Sequence, residues 1–206
     1  MNCSDREQAA LLREQHKIEE LIQLFAQIAS EQRWQPSDQL RAHAARSIYF
    51  AVSVGGILAG GLQLELPDGS GAWSFQAVWP EMKPACNAVA AYVSMFAIAE
   101  PFRGDRLLFW LPCVEMWRFC RERGIEDLWL AATPSTLTAY WRMGWPLEVR
   151  SELRVHWGEE CFLTGMTVDA VEASIVAKAA RSETYRAIVE RGYGKEALER
   201  LMANER

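Results

Sequence analysis

The sequence lacks several features that mark specialised classes of protein. Its apolar runs stay well below the roughly 20 residues that a membrane-spanning helix needs, and no apolar leader follows the first residues. Its 22 lysines and arginines are spread along the chain among 27 aspartates and glutamates, so no basic block is available to bind nucleic acid. It has no internal repeat, low-complexity tract or linker-like stretch. We therefore expect a cytoplasmic protein with no membrane span and no nucleic-acid partner.

The five cysteines also lack the spacing of a functional site. They form no CxxC pair and show no Cys/His spacing of the kind that binds metals. An odd number of cysteines in a reducing compartment is typical of buried free thiols. We therefore expect neither disulfides nor a metal ion.

The chain does contain enough apolar material for a substantial core. Of its 206 residues 50% are apolar and 24% charged, as in ordinary globular domains. The nine tryptophans are a high number, and aromatic-rich chains often line an apolar cleft as well as filling a core. We expect residues 1–206 to form one domain, with N-terminal helices in 1–46, a sheet core in 47–168 and a C-terminal helical extension in 169–206.

The centre of the chain, from Tyr92 to Trp145, has the pattern of a strand-helix-strand-helix unit. A helix of this length between two buried strands favours a right-handed parallel crossover, whose ligands bind at the carboxyl ends of the strands. The chemistry is therefore expected near residues 100–106 and 133–140. The predicted elements of the unit are a strand over Tyr92–Ala99, a helix over Asp105–Arg123 that contains Pro112, a strand over Asp127–Ala132 and a short helix ending at Gly144.

Hydrophobic periodicity also predicts the elements that flank this unit. Before it we expect an amphipathic helix from Asp5 to about Ser30, a short helix over Asp38–Ala45, and strands over Ile48–Val54, Ile57–Leu66 and Ala72–Trp79. After it we expect strands over Trp145–Trp157 and Cys161–Val168, then a largely solvated helical region capped by Asp169.

Within the second strand, Gly60-Gly61 indicates a bulge or a close approach of two backbones. Gln63 and Glu65 alternate with leucines and share one face of the strand. That face is either solvated or turned into a cleft. We take Gln63, Glu65 and Trp79 as candidate substrate-binding residues.

Two motifs in the central unit resemble the GNAT superfamily of N-acyltransferases. Phe102-Arg103-Gly104-Asp105-Arg106-Leu107-Leu108 occupies the place of that superfamily's Arg-Gly-x-Gly-x-Gly turn. Thr133-Pro-Ser-Thr136-Leu-Thr-Ala-Tyr140-Trp-Arg-Met-Gly144-Trp145 is similar to its Asn-x-x-Ala-x-x-x-Tyr-x-x-x-Gly-Phe segment. The resemblance implies an α/β (α+β) fold with a mixed, mostly antiparallel sheet of about six to seven strands, flanked by helices and extended by further helices at both ends.

In that superfamily the first motif cradles the pyrophosphate of coenzyme A on backbone N–H groups at a helix N-terminus. Here Arg106 and Leu108 replace the later glycines, which favours a phosphopantetheine carrier over free coenzyme A. The resemblance implies that the acyl-thioester donor contacts Ala97, Ile98, Ala99, Phe102, Arg103, Gly104, Asp105, Arg106, Leu107, Thr133 and Thr136.

A narrower resemblance, over about the last two-thirds of the chain, is to acyl-homoserine-lactone synthases and N-acyl amino acid synthases. It rests on Glu100-Pro-Phe-Arg103, on Gly144-Trp145-Pro146 and on the segment Val155-His-Trp-Gly158-Glu159. Those enzymes take acyl groups from acyl carrier protein. The paired aspartates of the lactone synthases have no counterpart here, so S-adenosylmethionine is not the expected acceptor.

The resemblance implies acyl transfer from a carrier thioester, either acyl carrier protein or acyl-CoA, to the amine of a small molecule. Tyr140 would protonate the leaving thiolate, or else only pack on its short helix. Glu100 would be the base if burial raises its pKa, or else the structural ion-pair partner of Arg103. A carrier protein, being acidic, predicts a positive patch of Arg103, Arg106, Arg118 and Arg121. The alternatives are an acetyl-CoA-dependent N-acetyltransferase and a catalytically silent binding protein, and a homodimer stays open.

Overall fold

A computed structural model describes residues 7–35, 39–67, 71–85 and 89–204. Its strands are β1 (Glu7–Leu11), β2 (Ser47–Val54), β3 (Ile57–Glu65), β4 (Ala90–Ile98), β5 (Asp127–Ala132), β6 (Glu148–Val149), β7 (Arg154–His156) and β8 (Glu159–Thr167). Its α-helices are α1 (Gln15–Glu31), α2 (Gln39–Ala42), α3 (Arg106–Glu122), α4 (Pro134–Met143), α5 (Val168–Ala179), α6 (Glu183–Tyr193) and α7 (Lys195–Asn204). Short 3₁₀ helices occur at Ala44–Arg46, Ser74–Ala77 and Glu100–Phe102.

The strands form one mixed sheet in the order β1-β2-β3-β4-β5-β8-β6, with β7 pairing on β8. Strands β1 to β4 are antiparallel neighbours, β4 and β5 are parallel, and β8 runs antiparallel to β5. The parallel pair, joined by α3, confirms the predicted crossover. The predicted fold class is also confirmed, with eight strands in the described ranges rather than six or seven.

The longest buried helix, α3, holds one face of the sheet. Asp105 caps its start, its Oδ1 accepting from the Leu107 N–H at 2.8 Å. The helix continues through Pro112. Its buried Trp110 and Trp117 pack edge to face, with ring centroids 5.5 Å apart.

Helix α1 covers part of the opposite face. Its buried side chains Leu21, Ile22, Phe25 and Ile28 recur at helical spacing and pack against residues such as Tyr49 on the sheet. Burying each of these large side chains contributes roughly 1.5–3 kcal/mol. Successive strand residues therefore contact different helices, and both faces of the central strands are buried.

The paired glycines of β3 mark a close backbone approach, as predicted. A Cβ on Gly61 would lie 2.2 Å from the Phe50 carbonyl oxygen, and one on Gly60 2.3 Å from that of Ala97. The β2–β3 ladder also shifts register beside them. Only residues without a side chain fit between these neighbouring strands.

Two predicted elements are wrong. Residues 7–11 form an edge strand on β2 instead of the start of a helix, because backbone pairing along the whole strand outweighs the weak helix preference of Glu-Gln-Ala-Ala-Leu. The predicted strand over 72–79 is a 3₁₀ helix, held by the Glu65 carboxylate through the backbone N–H and hydroxyl of Ser74. The predicted caps Ser4 and Asp5 lie outside the described residues.

The C-terminal part of the chain also differs from the prediction. Only residues 148–149 and 154–156 of the predicted strand 145–157 are extended and paired. Thr167, not Asp169, caps α5. Helices α5 and α6 are not largely solvated, because Val171, Ile175 and Val189 are buried in the same core as α3. The extension therefore stabilises the main body of the fold.

Cys113, Cys120 and Cys161 are buried free thiols, as predicted, while Cys3 and Cys86 lie outside the described residues. Across the described ranges, no helix is both long enough and apolar enough to span a membrane. Within the same ranges, no group of three or more histidines, cysteines, aspartates and glutamates has the arrangement of a metal site.

Candidate active site

The candidate site lies where β4 and β5 separate. The two strands pair only as far as Val93 and Leu130, although both continue beyond that point. At the same level the β3–β4 ladder shifts register, which leaves Ser94 as an extra residue on β4. Such a bulge bends the strand and increases its twist, which accounts for the separation. Beyond it, the facing edges of both strands have no ladder partner in the described part of the chain.

A cavity of about 170 Å³ occupies this separation, and we call it the splay cavity. Its walls come from the separated strands, α4, the β7–β8 hairpin and Trp34. The lining residues are Trp34, Tyr92, Val93, Ser94, Met95, Phe96, Leu130, Ala131, Ala132, Thr133, Thr136, Tyr140, His156, Trp157, Glu159 and Cys161. Mostly apolar walls with a few polar groups are typical of a ligand site.

Tyr140 forms the α4 side of the splay cavity. Only 8% of the residue is exposed, and its ring stacks on Trp145 with centroids 4.6 Å apart. Burial raises the pKa of the phenol, and the nearby Cys113 thiol adds to the effect. The phenol therefore stays protonated across the physiological range, which suits a proton donor.

Thr133 and Thr136, predicted donor contacts, also line the splay cavity. The Thr133 hydroxyl caps α4 by accepting from the Thr136 N–H at 3.2 Å. The two hydroxyls are themselves 2.9 Å apart. Their mutual bonding fixes the start of the helix that carries Tyr140.

A small polar cavity of about 10 Å³, enough for one small group, adjoins the splay cavity. It shares Tyr92, Ser94, His156 and Trp157 with the larger space and adds His43, Gln63 and Ser74. One end of the combined space is therefore lined mainly by apolar groups and the other by polar ones. A ligand spanning it would meet different chemistry at each end.

Gln63 presents an unused acceptor at the polar end. It is 1% exposed, and its Nε2 donates to the Ser47 Oγ at 2.9 Å. The Ser47 hydroxyl in turn donates to the His43 carbonyl, which fixes the orientation of the Gln63 amide. The Gln63 Oε1 is buried with no partner. A buried acceptor of this kind is costly unless a ligand supplies an N–H or O–H.

Glu65 and Arg46 form an ion pair behind the residues that line the polar end. Glu65 is completely buried and accepts from the Arg46 Nη2 at 2.8 Å and from the Ser74 N–H at 2.8 Å. The same Arg46 nitrogen lies 2.8 Å from His43 Nδ1. A guanidinium can only donate, so Nδ1 accepts and the His43 N–H is on Nε2. Of the two predicted alternatives for the face of Gln63 and Glu65, the solvated one is wrong.

His156 lies at the junction of the two cavities, with only 8% of the residue exposed. Its ring lies 5.6 Å from Trp79 and 5.0 Å from Trp157, centroid to centroid. Burial lowers the pKa of its imidazole to about 4, so the ring is neutral at pH 7. Trp79 is fully buried beneath it and lines neither cavity, so it positions His156 instead of contacting substrate.

The pKa of His156 predicts a stability change with pH. Because the folded value, about 4, lies below the ordinary 6.5, the unfolded chain binds the proton more tightly. The free energy of unfolding should therefore fall by up to about 3 kcal/mol as the pH drops from 6.5 to 4. Denaturant unfolding of His156→Gln should lack this component, whereas His16→Gln, at an exposed position, should keep it. Equal slopes in wild type and His156→Gln would contradict the assignment.

The turn before α3 does not have the geometry of a pyrophosphate cradle. The Asp105 carboxylate already accepts the Leu107 N–H, one of the free donors at the helix start. Its negative charge also opposes a second anion there. Leu108 replaces one of the superfamily's glycines, but its side chain does not crowd the turn, because it is buried against Val52 and Ala59. Gly104 has a φ of 93°, which favours glycine.

The other predicted residues of this segment lie outside the splay cavity. Ala97 and Leu107 are buried in core contacts, and Ile98, Ala99 and Phe102 are half-buried. Glu100 is exposed in a 3₁₀ turn, so it is not a buried carboxylate at the end of the strand. Arg103 donates from Nε to the Ile98 carbonyl at 3.0 Å and lies 3.7 Å from Glu31. Its ion-pair partner is therefore Glu31.

The predicted positive patch is also wrong. Arg118 and Arg121 follow Arg106 by 12 and 15 residues, which places them roughly 18–22 Å further along α3. Arg118 pairs with Glu115, and Arg121 pairs with Glu172 and Asp169. These pairs neutralise most of the charge that a carrier protein would meet.

A larger cavity, of about 850 Å³, lies at the other end of β4, beside Trp73, Lys83, Val89 and Arg123. Its described lining contains no histidine, cysteine, tyrosine or carboxylate that could transfer a proton or attack a substrate. We therefore place the chemistry in the splay cavity.

Sequence reasoning missed His156, Arg46 and His43 as members of the site. A histidine inside a predicted strand and between aromatic residues was the available signal for His156. The Arg46–Glu65 contact crosses 19 residues and has no local pattern. Only the three-dimensional arrangement brings these groups together.

No family model matches the sequence, and no curated protein matches it either. Solved structures do share its fold. FeeM, an N-acyl amino acid synthase from uncultured soil microbes, matches with a TM-score of 0.69 at 12% identity, over 82% of this chain and 95% of that one. The acyl-homoserine-lactone synthase LasI matches with a TM-score of 0.63 at 16% identity, over 79% and 90%.

BjaI, a coenzyme A-dependent acyl-homoserine-lactone synthase solved with S-adenosylmethionine and isopentyl-CoA, matches with a TM-score of 0.62 at 14% identity, over 82% of this chain and 87% of that one. At such identities the likeness concerns the fold. The chain therefore has the GNAT-like fold that its two motifs implied.

Proposed function

We propose that the protein is an acyltransferase that moves an acyl group from a phosphopantetheine-type thioester to the amine of a small molecule. The thioester would belong to acyl carrier protein or to acyl-CoA. The observation that carries the proposal is the splay cavity, with a protonated phenol on one wall, together with the adjoining polar cavity, which the unpartnered Gln63 oxygen lines. The similarity in fold to FeeM, LasI and BjaI supports the same reaction class.

The donor would enter between the separated strands. A phosphopantetheine arm carries two amides, and the unpaired backbone edges of β4 and β5 offer complementary N–H and C=O groups. The same N–H groups would stabilise the oxyanion that forms on the thioester carbonyl. Phe96 and Met95 would contact the apolar part of the acyl chain.

The acceptor amine would bind at the polar end. The Gln63 Oε1 accepts one N–H, and the neutral His156 imidazole accepts another, which orients the nitrogen lone pair toward the carbonyl. Glu159, which lines the splay cavity, is exposed to solvent. Attack requires a neutral amine, so the surplus ammonium proton passes to water before the C–N bond forms.

The transfer then has two steps. The amine adds to the thioester carbonyl, and the tetrahedral intermediate collapses by breaking the C–S bond. Tyr140 donates its proton to the departing sulfur, and the proton lost from nitrogen returns to the phenolate through water. Burial raises the free energy of the charged phenolate and of the charged thiolate alike. It therefore does not oppose proton transfer from the phenol to the departing sulfur.

A donor panel tests this function. Acetyl-CoA, a long-chain acyl-CoA and an acylated carrier protein are each incubated with the protein, with and without a mixture of free amino acids and simple amines, and thioester consumption is followed by mass spectrometry. We expect amine-dependent consumption of one donor class. Binding of a donor without consumption of any of the three would instead indicate a silent binding protein.

A further inference from the structure

A basic pocket lies beyond the C-terminal end of α4. It has a volume of about 260 Å³ and is closed by α3, α4, α5 and α6. Its lining residues are Arg106, Trp110, Arg142, Met143, Lys178, Ser182, Thr184, Tyr185 and Ile188. We call it the basic pocket.

Three cations converge on this pocket from different elements: Arg106 from α3, Arg142 from α4 and Lys178 from α5. Within the described ranges none of the three has a carboxylate partner. The Lys178 ammonium donates to the Arg142 carbonyl and lies 5.0 Å from the Tyr185 ring centroid. Asp105, next to Arg106 in sequence, and Glu183, next to Ser182 and Thr184, are both exposed, and neither lines the pocket. Like charges gathered without a counterion repel one another.

The pKa of Lys178 responds to these neighbouring positive charges. Burial lowers the pKa of its ammonium, and the charge of Arg106 lowers it further. An anion bound in the pocket would counteract the lowering of the Lys178 pKa by Arg106. This distinguishes the basic pocket from the surface around Arg118 and Arg121, whose charges are already paired.

A second observation also points to a ligand. Tyr185 is 9% exposed, and its hydroxyl is buried without a hydrogen-bond partner. The Ser182 and Thr184 hydroxyls line the same space at the start of α6. Cations, a free phenol and aliphatic hydroxyls together form the donor set that a phosphate group requires.

The pocket and the splay cavity lie along the same helix. Thr136, Tyr140 and Met143 are spaced at i, i+4 and i+7, so they share one face of α4. The first two line the splay cavity and the third lines the basic pocket. Thr136 and Met143 are roughly 10 Å apart along the helix axis.

We infer that the basic pocket binds a phosphate group through Arg106, Arg142, Lys178 and Tyr185. The identity of that group rests on the proposed function: it is the phosphate of the phosphopantetheine arm whose thioester lies beside Tyr140. Side-chain cations from the C-terminal extension would thus hold the phosphate, because Asp105 occupies the helix terminus that would otherwise receive it.

Calorimetric binding of two probes to the full chain tests the inference without turnover. Wild type should bind 4′-phosphopantetheine at least tenfold more tightly than pantetheine, which lacks the phosphate. Arg142→Gln and Lys178→Gln should each reduce phosphopantetheine affinity about tenfold and leave pantetheine affinity unchanged. Arg200→Gln on α7 removes the same charge away from the pocket and should leave both affinities unchanged.

Tyr185→Phe is a variant that should fold normally, because the hydroxyl that it removes has no partner in the fold. It should keep the melting temperature and weaken phosphopantetheine binding several-fold. Coenzyme A and a carrier protein bearing the arm then distinguish the two sources of the phosphate. Equal affinity of wild type for the two small probes, or an unchanged ratio in Arg142→Gln and Lys178→Gln, would overturn the inference. Absence of turnover with the ratio intact would overturn only the proposed reaction.

Discussion

Replacing Tyr140 with phenylalanine is expected to lower kcat about 100-fold or more, with little change in donor affinity. The substitution removes one hydroxyl and keeps the ring that stacks on Trp145. The proton that must reach the departing sulfur then has no buried donor on this wall of the splay cavity. Steady-state kinetics with the donor that wild type consumes, together with a direct measurement of donor binding, gives both values.

Tyr193→Phe is the matched control for this variant. Tyr193 is also a buried tyrosine whose hydroxyl has no partner, but it lies on α6 and lines neither the splay cavity nor the polar one. It should keep the wild-type kcat. An unchanged kcat in Tyr140→Phe would remove the phenol from the reaction.

Replacing Arg46 with methionine is expected to lower the free energy of unfolding by about 3–5 kcal/mol. Glu65 has no exposed surface, and Arg46 supplies the charge that compensates its carboxylate at 2.8 Å. Without the guanidinium, the carboxylate must either remain charged in a buried site or take up a proton. Urea unfolding at neutral pH measures the loss.

Two controls separate this effect from general damage. The double variant with Glu65→Gln should recover much of the stability, because the uncompensated charge is gone. Arg41→Met breaks the exposed pair with Glu19 and should cost at most about 1 kcal/mol. A loss of 1 kcal/mol or less in Arg46→Met would show that Glu65 does not depend on Arg46.

Elements with strong local periodicity could be predicted from the sequence, and those set by distant pairing could not. The unit from Tyr92 to Trp145 was predicted correctly because its apolar runs, the Asp105 cap and the Gly144 end are local signals. Residues 7–11 became a strand because β2 offered a free edge. Nothing within those five residues indicates that edge.

The site was predictable in part for the same reason. Tyr140 and Thr136 were found because a motif on one helix places them together. The alternation in β3 indicated that Gln63 and Glu65 share a face, but not that Arg46 and Ser74 cover it. The role of Glu100 as a base depended on its burial, but β4 ends before it and the 3₁₀ turn carries it into solvent.

The mass of the product formed from a thioester whose acyl group carries ¹³C tests the proposed transfer most directly. Wild type should transfer the label to the nitrogen of an added amine, giving an amide and a free thiol in equal amounts, and Tyr140→Phe should form both about 100-fold more slowly. Label that remains on the thioester, or that appears only as the free acid in the presence of every amine supplied, would contradict the proposed transfer.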